Sequence, residues 1–246
     1  MAKQHKTLHQ KRLDGELHIQ QPVSKVSDHV LPVYTKGEEI FNMVSHIVGA
    51  VFGLTALVMC VVKAALNHNV AGIVCGAIYG LSMILVYTIS SVYHGLDPEK
   101  KTFGKKVMQV LDHCDIYCLI AGTITPIALT DMRLRHPVIA WTVFGIFYGV
   151  CLLGQVLTAI DFHKFAVPSY ACYFVAGWSA LLALPSLVEM YGWAFPIFMV
   201  LGGVFYSSGM IFFDLQKRHR YAHSVFHLFI VAGSVFQFIP IYQYCM

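Results

Sequence analysis

Residues 137–160 of this 246-residue chain read PVIAWTVFGIFYGVCLLGQVLTAI, a run without a single Asp, Glu, Lys, Arg or His. An α-helix rises about 1.5 Å per residue, so about 20 apolar residues cross the hydrocarbon core of a bilayer. The run is longer than that requirement and has no charge to place in lipid. It therefore predicts a transmembrane helix.

Six more segments give the same prediction. Uncharged runs long enough to span are Asn69–Tyr93, Phe165–Val188, Met190–Phe213 and Leu228–Met246. Two shorter runs, 47–62 and 116–130, become long enough when their starts move back to about Ile40 and Val107, and the last run extends back to about His223. The sequence thus predicts an all-α fold, a bundle of seven transmembrane helices over residues 37–246 that follows a polar tail at residues 1–36.

The composition agrees with a membrane protein. Hydrophobic residues make up 57% of the chain and charged residues 12%, whereas a soluble globular protein carries about 25% charged residues. This difference excludes an ordinary soluble enzyme. The net charge of +4 is too small for a nucleic-acid-binding domain, so the expected partners are membrane lipids and not nucleic acids.

The distribution of Lys and Arg predicts the orientation of the helices. With seven spans the two termini lie on opposite faces, and a cytoplasmic N-terminus places 14 of the 17 basic residues on the cytoplasmic side. Cytoplasmic loops normally carry the excess of Lys and Arg. We therefore expect the N-terminal tail in the cytoplasm and the C-terminus on the extracytoplasmic side.

Two other features are interpreted as structural rather than chemical. Glycines recur at four-residue spacing in the predicted spans, as Gly49/Gly53, Gly72/Gly76/Gly80 and Gly145/Gly149. Small residues at this spacing let helix backbones approach closely in membranes, so each set is interpreted as a packing site. In the loop after span four, Asp161 and His163 are expected to be solvated.

Polar side chains concentrate at one end of the predicted bundle. They are Glu39, Asn42 and His46 of span one, Ser90 and His94 of span two, Asp112, His113 and Asp115 of span three, and His223 and His227 of span seven. Placing ionisable groups in a membrane is energetically unfavourable, so each is a candidate for function. All of them fall at the predicted cytoplasmic end, where four helices could bring them into one cavity.

The spacing of the histidines predicts a metal site. His223 and His227 are four residues apart, so they share one face of a helix and can bind one ion together. A third histidine from another helix would leave a fourth position for water, as in catalytic zinc sites. His94 is the preferred third ligand because it ends span two on the same side, and His46 and His113 are its competitors.

Four short segments carry a resemblance to a known family. Residues 39–46 (EIFNMVSH) match E-x-x-N-x-x-x-H, residues 90–94 (SSVYH) match S-x-x-x-H, and residues 223–227 (HSVFH) match H-x-x-x-H. The fourth segment is Leu111-Asp112-His113, continued by Ile116-Tyr117 and Ala121-Gly122-Thr123. Together they resemble the hemolysin III family, the bacterial branch of the progestin and adiponectin-receptor (PAQR) superfamily, over about residues 38–242.

The resemblance implies a seven-helix protein of the bacterial plasma membrane with a zinc ion near the cytoplasmic face. The ligands that it implies are His94, His223 and His227. The residues that it places beside the ion are Ser90 and Asp112, with Asp112 holding the water that the ion activates. The residues that it implies for the wall of the same cavity are Glu39, Asn42 and His46.

Two positions depart from the family pattern. Asp115 stands where the family usually has a small residue, and it adds a carboxylate to the expected cavity. Gln237 stands where many relatives carry His, so a histidine of span seven is missing. Neither change affects the three implied ligands, and His113 is expected to line the cavity beside them.

The leading functional hypothesis is a zinc-dependent hydrolase of lipid amides or esters. Asp112 would act as general base, and Ser90 would donate a hydrogen bond to the water of the ion or to a developing oxyanion. The relation of the superfamily to ceramidases supports this chemistry by analogy. Whether the protein is an enzyme stays open, because a non-catalytic, zinc-stabilised regulator of membrane lipid homeostasis or signalling and a pore-forming hemolysin are alternatives.

Overall fold

The structure of the chain is a computed structural model that describes Val26, residues 31–97 and residues 102–246. Within these residues, seven helices are long and apolar enough to cross a membrane, and no β-strand occurs. They are α1 (Lys36–Leu66), α2 (Val70–Gly95), α3 (Phe103–Arg135), α4 (Pro137–Ile160), α5 (Ala166–Tyr191), α6 (Ala194–Leu215) and α7 (Ala222–Cys245). The predicted all-α, seven-span fold is confirmed, and each predicted span corresponds to one of these helices.

Most of the predicted N-terminal tail lies outside the described residues, as do Lys100 and Lys101 of the loop between α2 and α3. The orientation of the bundle in the membrane and the boundary between tail and membrane domain stay predictions from the sequence.

Local hydrogen bonds explain where two of the helices begin. The hydroxyl of Thr35 accepts from the backbone N–H of Glu38 at 3.4 Å, and the Glu38 carboxylate accepts from the N–H of Thr35 at 2.8 Å. This reciprocal pair is a capping box at the start of α1. The hydroxyl of Thr102 accepts from the N–H of Lys105 at 3.2 Å, and this single bond caps the start of α3. Both helices therefore start at a defined residue close to the polar cluster.

Helix α3 is distorted after Pro126. Proline has no backbone N–H to donate to the preceding turn, and a π-helical turn follows at Ala128–Met132, where Thr130 has φ −92° and ψ −116°. The hydroxyl of Thr130 donates to the carbonyl of Pro126 at 2.6 Å and so satisfies one carbonyl at the break. The distortion lies at the end of α3 that is remote from Asp112.

Glycines set the close approach of α1 and α2. A Cβ atom on Gly80 would lie 2.4 Å from Cβ of Leu57, and one on Gly49 would lie 2.7 Å from the ring of Tyr87. The other glycines of these two sets meet neighbouring atoms at 3.0 Å or less, and they are Gly53, Gly72 and Gly76. The packing interpretation is confirmed for α1 and α2.

The packing interpretation is wrong for α4. No described atom lies within 4 Å of a Cβ placed on Gly145 or Gly149. The two glycines share a stripe of α4 with Trp141 and Leu152, whose side chains are 55% and 63% exposed. That stripe therefore faces away from the other helices of the chain.

The expectation that Asp161 is solvated is also wrong. Asp161 is only 2% exposed, and its Oδ1 accepts from the backbone N–H groups of His163 at 3.1 Å and Lys164 at 2.9 Å. The carboxylate is buried because it organises the short connection between α4 and α5. His163 itself is exposed, as predicted.

The directions of the helices bring the polar segments to one end of the bundle. Helices α1, α3 and α7 begin at this end and α2 finishes there. We call it the histidine end, because a buried cluster of His94, His223 and His227 lies there. The charge distribution predicts that it faces the cytoplasm.

Candidate metal centre

Three histidine side chains meet at the histidine end. His94 lies in the last turn of α2, and His223 and His227 lie near the start of α7. Nε2 of His223 is 3.3 Å from Nε2 of His94 and 3.1 Å from Nε2 of His227. None of the three residues is more than 5% exposed. Among the described residues, this is the one group of His, Cys, Asp or Glu side chains whose ligand atoms all lie within 4.8 Å of one another.

These separations fit a single metal ion. A tetrahedral zinc ion with Zn–N distances of about 2.0–2.1 Å holds its nitrogen ligands about 3.3 Å apart. A neutral imidazole has one N–H and one lone pair, so each ring presents a lone pair from Nε2 when its proton is on Nδ1. The buried cluster can therefore hold a metal ion.

Residues of α1 contact the Nδ1 atoms of two of these rings, on the side away from the cluster. Nδ1 of His94 is 2.6 Å from Oε2 of Glu39, and Nδ1 of His227 is 3.2 Å from the backbone oxygen of Asn42. A carboxylate and a carbonyl only accept hydrogen bonds, so each Nδ1 carries the proton and each Nε2 carries the lone pair. The side chain of Asn42 is held in turn, since its Oδ1 accepts from the hydroxyl of Ser224 at 2.6 Å. Glu39 and Asn42 thus orient two of the three histidines.

The two competing histidines lie outside the cluster. His46 stacks on His227 with ring centroids 3.6 Å apart and an interplanar angle of 11°, so it packs against that ring rather than pointing at the cluster. His113 places Nδ1 2.8 Å from the carbonyl oxygen of Gln109, and its ring contacts Phe162 at 4.1 Å between centroids. The structure therefore brings His94, and neither competitor, to the pair on α7.

An elongated, mainly apolar cavity extends from the cluster into the bundle. Its empty space, including the opening, is about 1210 Å³. The polar residues that line it at the histidine end are His46, Ser90, Asp112, His113, His223 and His227. Most of the remaining wall is apolar and reaches Gln237, which is about 15 Å from His227 along α7.

Ser90 and Asp112 both face this cavity, but they differ in burial. Ser90 is 1% exposed, and its hydroxyl has no hydrogen-bond partner among the described residues. Asp112 is half-buried. A hydroxyl that is buried without a partner is unusual in proteins, so this one is available to a ligand in the cavity.

Three of the residues predicted for the cavity wall do not line it. Glu39 and Asn42 contact the histidine rings from the Nδ1 side instead. Asp115 is 3% exposed, and neither of its side-chain oxygens has a partner among the described residues. The expectation that Asp115 lines the cavity is wrong, because the α3 residues on its wall are centred on Ile116 and Ile120, about 100–140° around the helix axis from Asp115.

Two residues at the site were missed by reasoning from the sequence. Lys105 donates from Nζ to Oε1 of Glu39 at 2.9 Å. It precedes Asp112 by seven residues, about two helical turns, and this spacing on one helix face was a signal that could have found it. Tyr34 stacks on His223 from a position before α1, where no helical period exists to indicate it.

Burial is the largest of the effects that raise the pKa of the Tyr34 phenol well above its ordinary value. The phenol therefore stays protonated, and it donates to Oε1 of Gln216 at 2.5 Å. This hydrogen bond fastens the residues before α1 to the loop that precedes α7.

Seven membrane-spanning helices with a buried three-histidine cluster at one end define a multi-pass membrane protein with a candidate metal centre. The family model described as "Haemolysin-III related" matches residues 34–238. The chain belongs to the haemolysin III family, and the resemblance predicted from the four motifs is confirmed.

Relatives in bacteria and animals support this assignment. The chain is 33% identical to Hemolysin-3 of Bacillus cereus over 210 residues, which are 85% of this chain and 92% of that protein. It is 33% identical to a Hemolysin-3 homolog of Bacillus subtilis (strain 168) over 215 residues, which are 87% and 97% of the two chains. Monocyte to macrophage differentiation factor of Homo sapiens is 24% identical over 196 residues, which are 76% of this chain and 79% of that protein.

Proposed function

We propose that this protein is a zinc-dependent hydrolase of lipid amides or esters that acts at the cytoplasmic side of the bacterial plasma membrane. One observation carries the proposal: two histidines of the cluster, His223 and His227, line one elongated, mainly apolar cavity together with Ser90 and Asp112. An apolar cavity with a few convergent polar groups is typical of a binding site for a small apolar ligand. In this cavity the polar end would bind the scissile bond, and the apolar part would bind an acyl chain.

The donor set suits a catalytic rather than a closed structural zinc site. His94, His223 and His227 would hold the ion through their Nε2 atoms, and three protein ligands leave one coordination position open. Zinc held by these three histidines would polarise the scissile carbonyl as a Lewis acid and would make water acidic enough to attack near neutral pH. Imidazole also suits other first-row metals, so the identity of the ion is part of the proposal.

Side chains of the cavity would carry out the proton transfers and stabilise the developing charge. The Asp112 carboxylate would accept the proton of the attacking water and return it to the departing nitrogen or oxygen atom. The hydroxyl of Ser90 would donate a hydrogen bond to the carbonyl oxygen as negative charge develops on it. The apolar wall would exclude bulk water and keep the acyl chain fixed relative to these groups.

The metal site is tested by elemental analysis of protein purified in detergent. We expect about one zinc per chain in the wild type and in His219→Ala, whose histidine is exposed, and none in His227→Ala. No metal in the wild type, or equal metal in all three proteins, would refute the site.

The reaction is tested with the same zinc-loaded protein on ceramides, acyl amides and phospholipids. Asp112→Asn is expected to keep its zinc and to lose hydrolysis by about 100-fold or more, the usual effect of removing a general base. Zinc-loaded wild type that hydrolyses none of these lipids would end the hydrolase proposal.

A non-catalytic regulator is the second candidate. It is favoured by the origin of the ligands, which come from α2 and α7 while α1 holds two of the rings from behind. An ion at the cluster would fasten these helices together and stabilise the fold. Loss of zinc that lowers the melting temperature, in a protein without measurable hydrolysis, would favour this function.

A further inference from the structure

A buried lysine stands behind the metal centre. The side chain of Lys105 is 3% exposed, and Nζ donates to Oε1 of Glu39 at 2.9 Å and to the carbonyl of Leu96 at 3.0 Å. Nζ also lies 5.4 Å from the ring centroid of Tyr93, a cation–π contact. Lysine is almost never fully buried without a partner, so each of these contacts helps to keep the charge in place.

Glu39 connects this lysine to the histidine cluster. One carboxylate oxygen, Oε1, accepts from Lys105, and the other, Oε2, lies 2.6 Å from Nδ1 of His94. The three side chains are each 6% exposed or less. Charge-assisted hydrogen bonds in such a setting are stronger and better oriented than neutral ones. The orientation of His94 therefore depends on Glu39, and the orientation of Glu39 depends on Lys105.

We infer that Lys105 is a positioning residue of the metal centre: it holds the Glu39 carboxylate in the orientation that fixes the His94 ring, and so sets the affinity of the site for zinc. The inference rests on the proposed function in one respect, that the three histidines bind the ion. Lys105 neither belongs to the histidine cluster nor lines the cavity, so it acts on the ring of His94 through Glu39, while its bond to Leu96 holds the end of α2.

The same lysine joins three helices at the site. It lies in the first turn of α3, it donates to the carbonyl of Leu96 at the end of α2, and it pairs with Glu39 of α1. Without the ammonium group, the Glu39 carboxylate would be buried beside His94 with one oxygen unpaired. A buried, unpaired charge is strongly unfavourable, so the carboxylate would move and release the His94 ring.

The test measures zinc affinity by competition with a chromogenic chelator in detergent-purified protein. The proteins are the wild type, Lys105→Met, Glu39→Gln, the double variant, and Lys217→Met as the matched control. Lys217 carries the same charge, but it is 75% exposed and pairs with Asp214 on the surface. Glutamine has a single acceptor oxygen, so Glu39→Gln cannot serve both Lys105 and His94.

We expect Lys105→Met to bind zinc about 10- to 100-fold more weakly than the wild type, as for other residues that orient a metal ligand. Glu39→Gln should lose at least as much, and the double variant should be no weaker than Glu39→Gln alone, because the two residues act in series. Lys217→Met should match the wild type. The absorption spectrum of the Co²⁺-loaded protein should change in Lys105→Met and stay unchanged in Lys217→Met.

Several results would overturn the inference. An unchanged zinc affinity in Lys105→Met is one such result. Another is that the losses of zinc affinity in the two single variants add up in the double variant. If Lys105→Met is recovered only as aggregate, Glu39→Asp replaces it, because the shorter carboxylate cannot bridge Lys105 and His94, and an unchanged affinity there overturns the inference too. A wild type that binds no zinc refutes the proposed function as well. A zinc affinity that does not change when Lys105 is substituted refutes this inference alone.

Discussion

The ring of Tyr34 stacks on the ring of His223, with centroids 5.1 Å apart and an interplanar angle of 28°. Tyr34 lies just before α1 and His223 lies in the first turn of α7, so the contact joins the two ends of the seven-helix segment. The hydroxyl of Tyr34 is held by Gln216, the residue that follows α6. Tyr34 therefore covers His223 and His94 at the histidine end.

Removing this cover is expected to speed the loss of metal. Tyr34→Ala should release zinc to an excess of chelator about two- to tenfold faster than the wild type, since an aromatic stacking pair contributes about 0.5–1.5 kcal/mol. Tyr34→Phe keeps the ring and should release zinc at nearly the wild-type rate. The measurement is stopped-flow detection of the chelator complex, and equal rates in the two variants would show that the ring does not shield the cluster.

Two adjacent serines of α2 are expected to respond differently to loss of the hydroxyl. Ser90 faces the cavity with an unpaired hydroxyl, whereas Ser91 donates to the carbonyl of Tyr87 at 2.7 Å. Ser90→Ala should lower kcat for lipid hydrolysis by about 100-fold, the effect of removing one oxyanion donor, with zinc content unchanged. Ser91→Ala should keep wild-type kcat, and a similar loss in both variants would argue against a role for Ser90 in the reaction.

Glycines on α4 offer a matched test of packing. A Cβ on Gly154 would lie 2.4 Å from the ring of Tyr117, which cannot move freely because its hydroxyl donates to the carbonyl of Ser169 at 2.9 Å. Gly154→Ala should therefore destabilise the protein by about 1–3 kcal/mol, the usual effect of overpacking. Gly149→Ala meets no described atom and should melt at or slightly above the wild-type temperature. Equal melting temperatures for the two variants would contradict the packing of α4 on α3.

A lysine at the far end of the bundle is expected to matter for stability and not for metal. Nζ of Lys63 donates to the carbonyls of Tyr242 at 2.7 Å and Gln243 at 2.9 Å, and so fastens the end of α7 to α1. Lys63→Met should lower the free energy of unfolding by about 1 kcal/mol, because these bonds are partly exposed to solvent. Zinc content should be unchanged, and Lys36→Met, which removes an exposed lysine at the histidine end, should leave stability unchanged.

Much of the fold and part of the site could be predicted from single segments of the sequence. The spans could be predicted because a helix needs about 20 apolar residues to cross a bilayer, and the length of an apolar run can be read from one segment alone. The pair His223 and His227 could be predicted because a spacing of four residues sets their common face within one helix. Glycines were predicted with less success, since the spacing at Gly145 and Gly149 does not show which face of α4 meets another helix.

The sequence by itself therefore determined what depends on one helix: the number and place of the spans and the histidine pair on α7. The sequence favoured His94 as the third histidine but left His46 and His113 as competitors. The tertiary structure decided between them, because His94 is 129 residues away from His223 and its approach depends on how α2 and α7 pack. The same holds for Lys105 and Glu39, which are 66 residues apart. Hydrophobic burial selects helices by local composition, whereas a metal centre requires side chains from several helices to meet within a few ångströms, and that is a property of the assembled bundle.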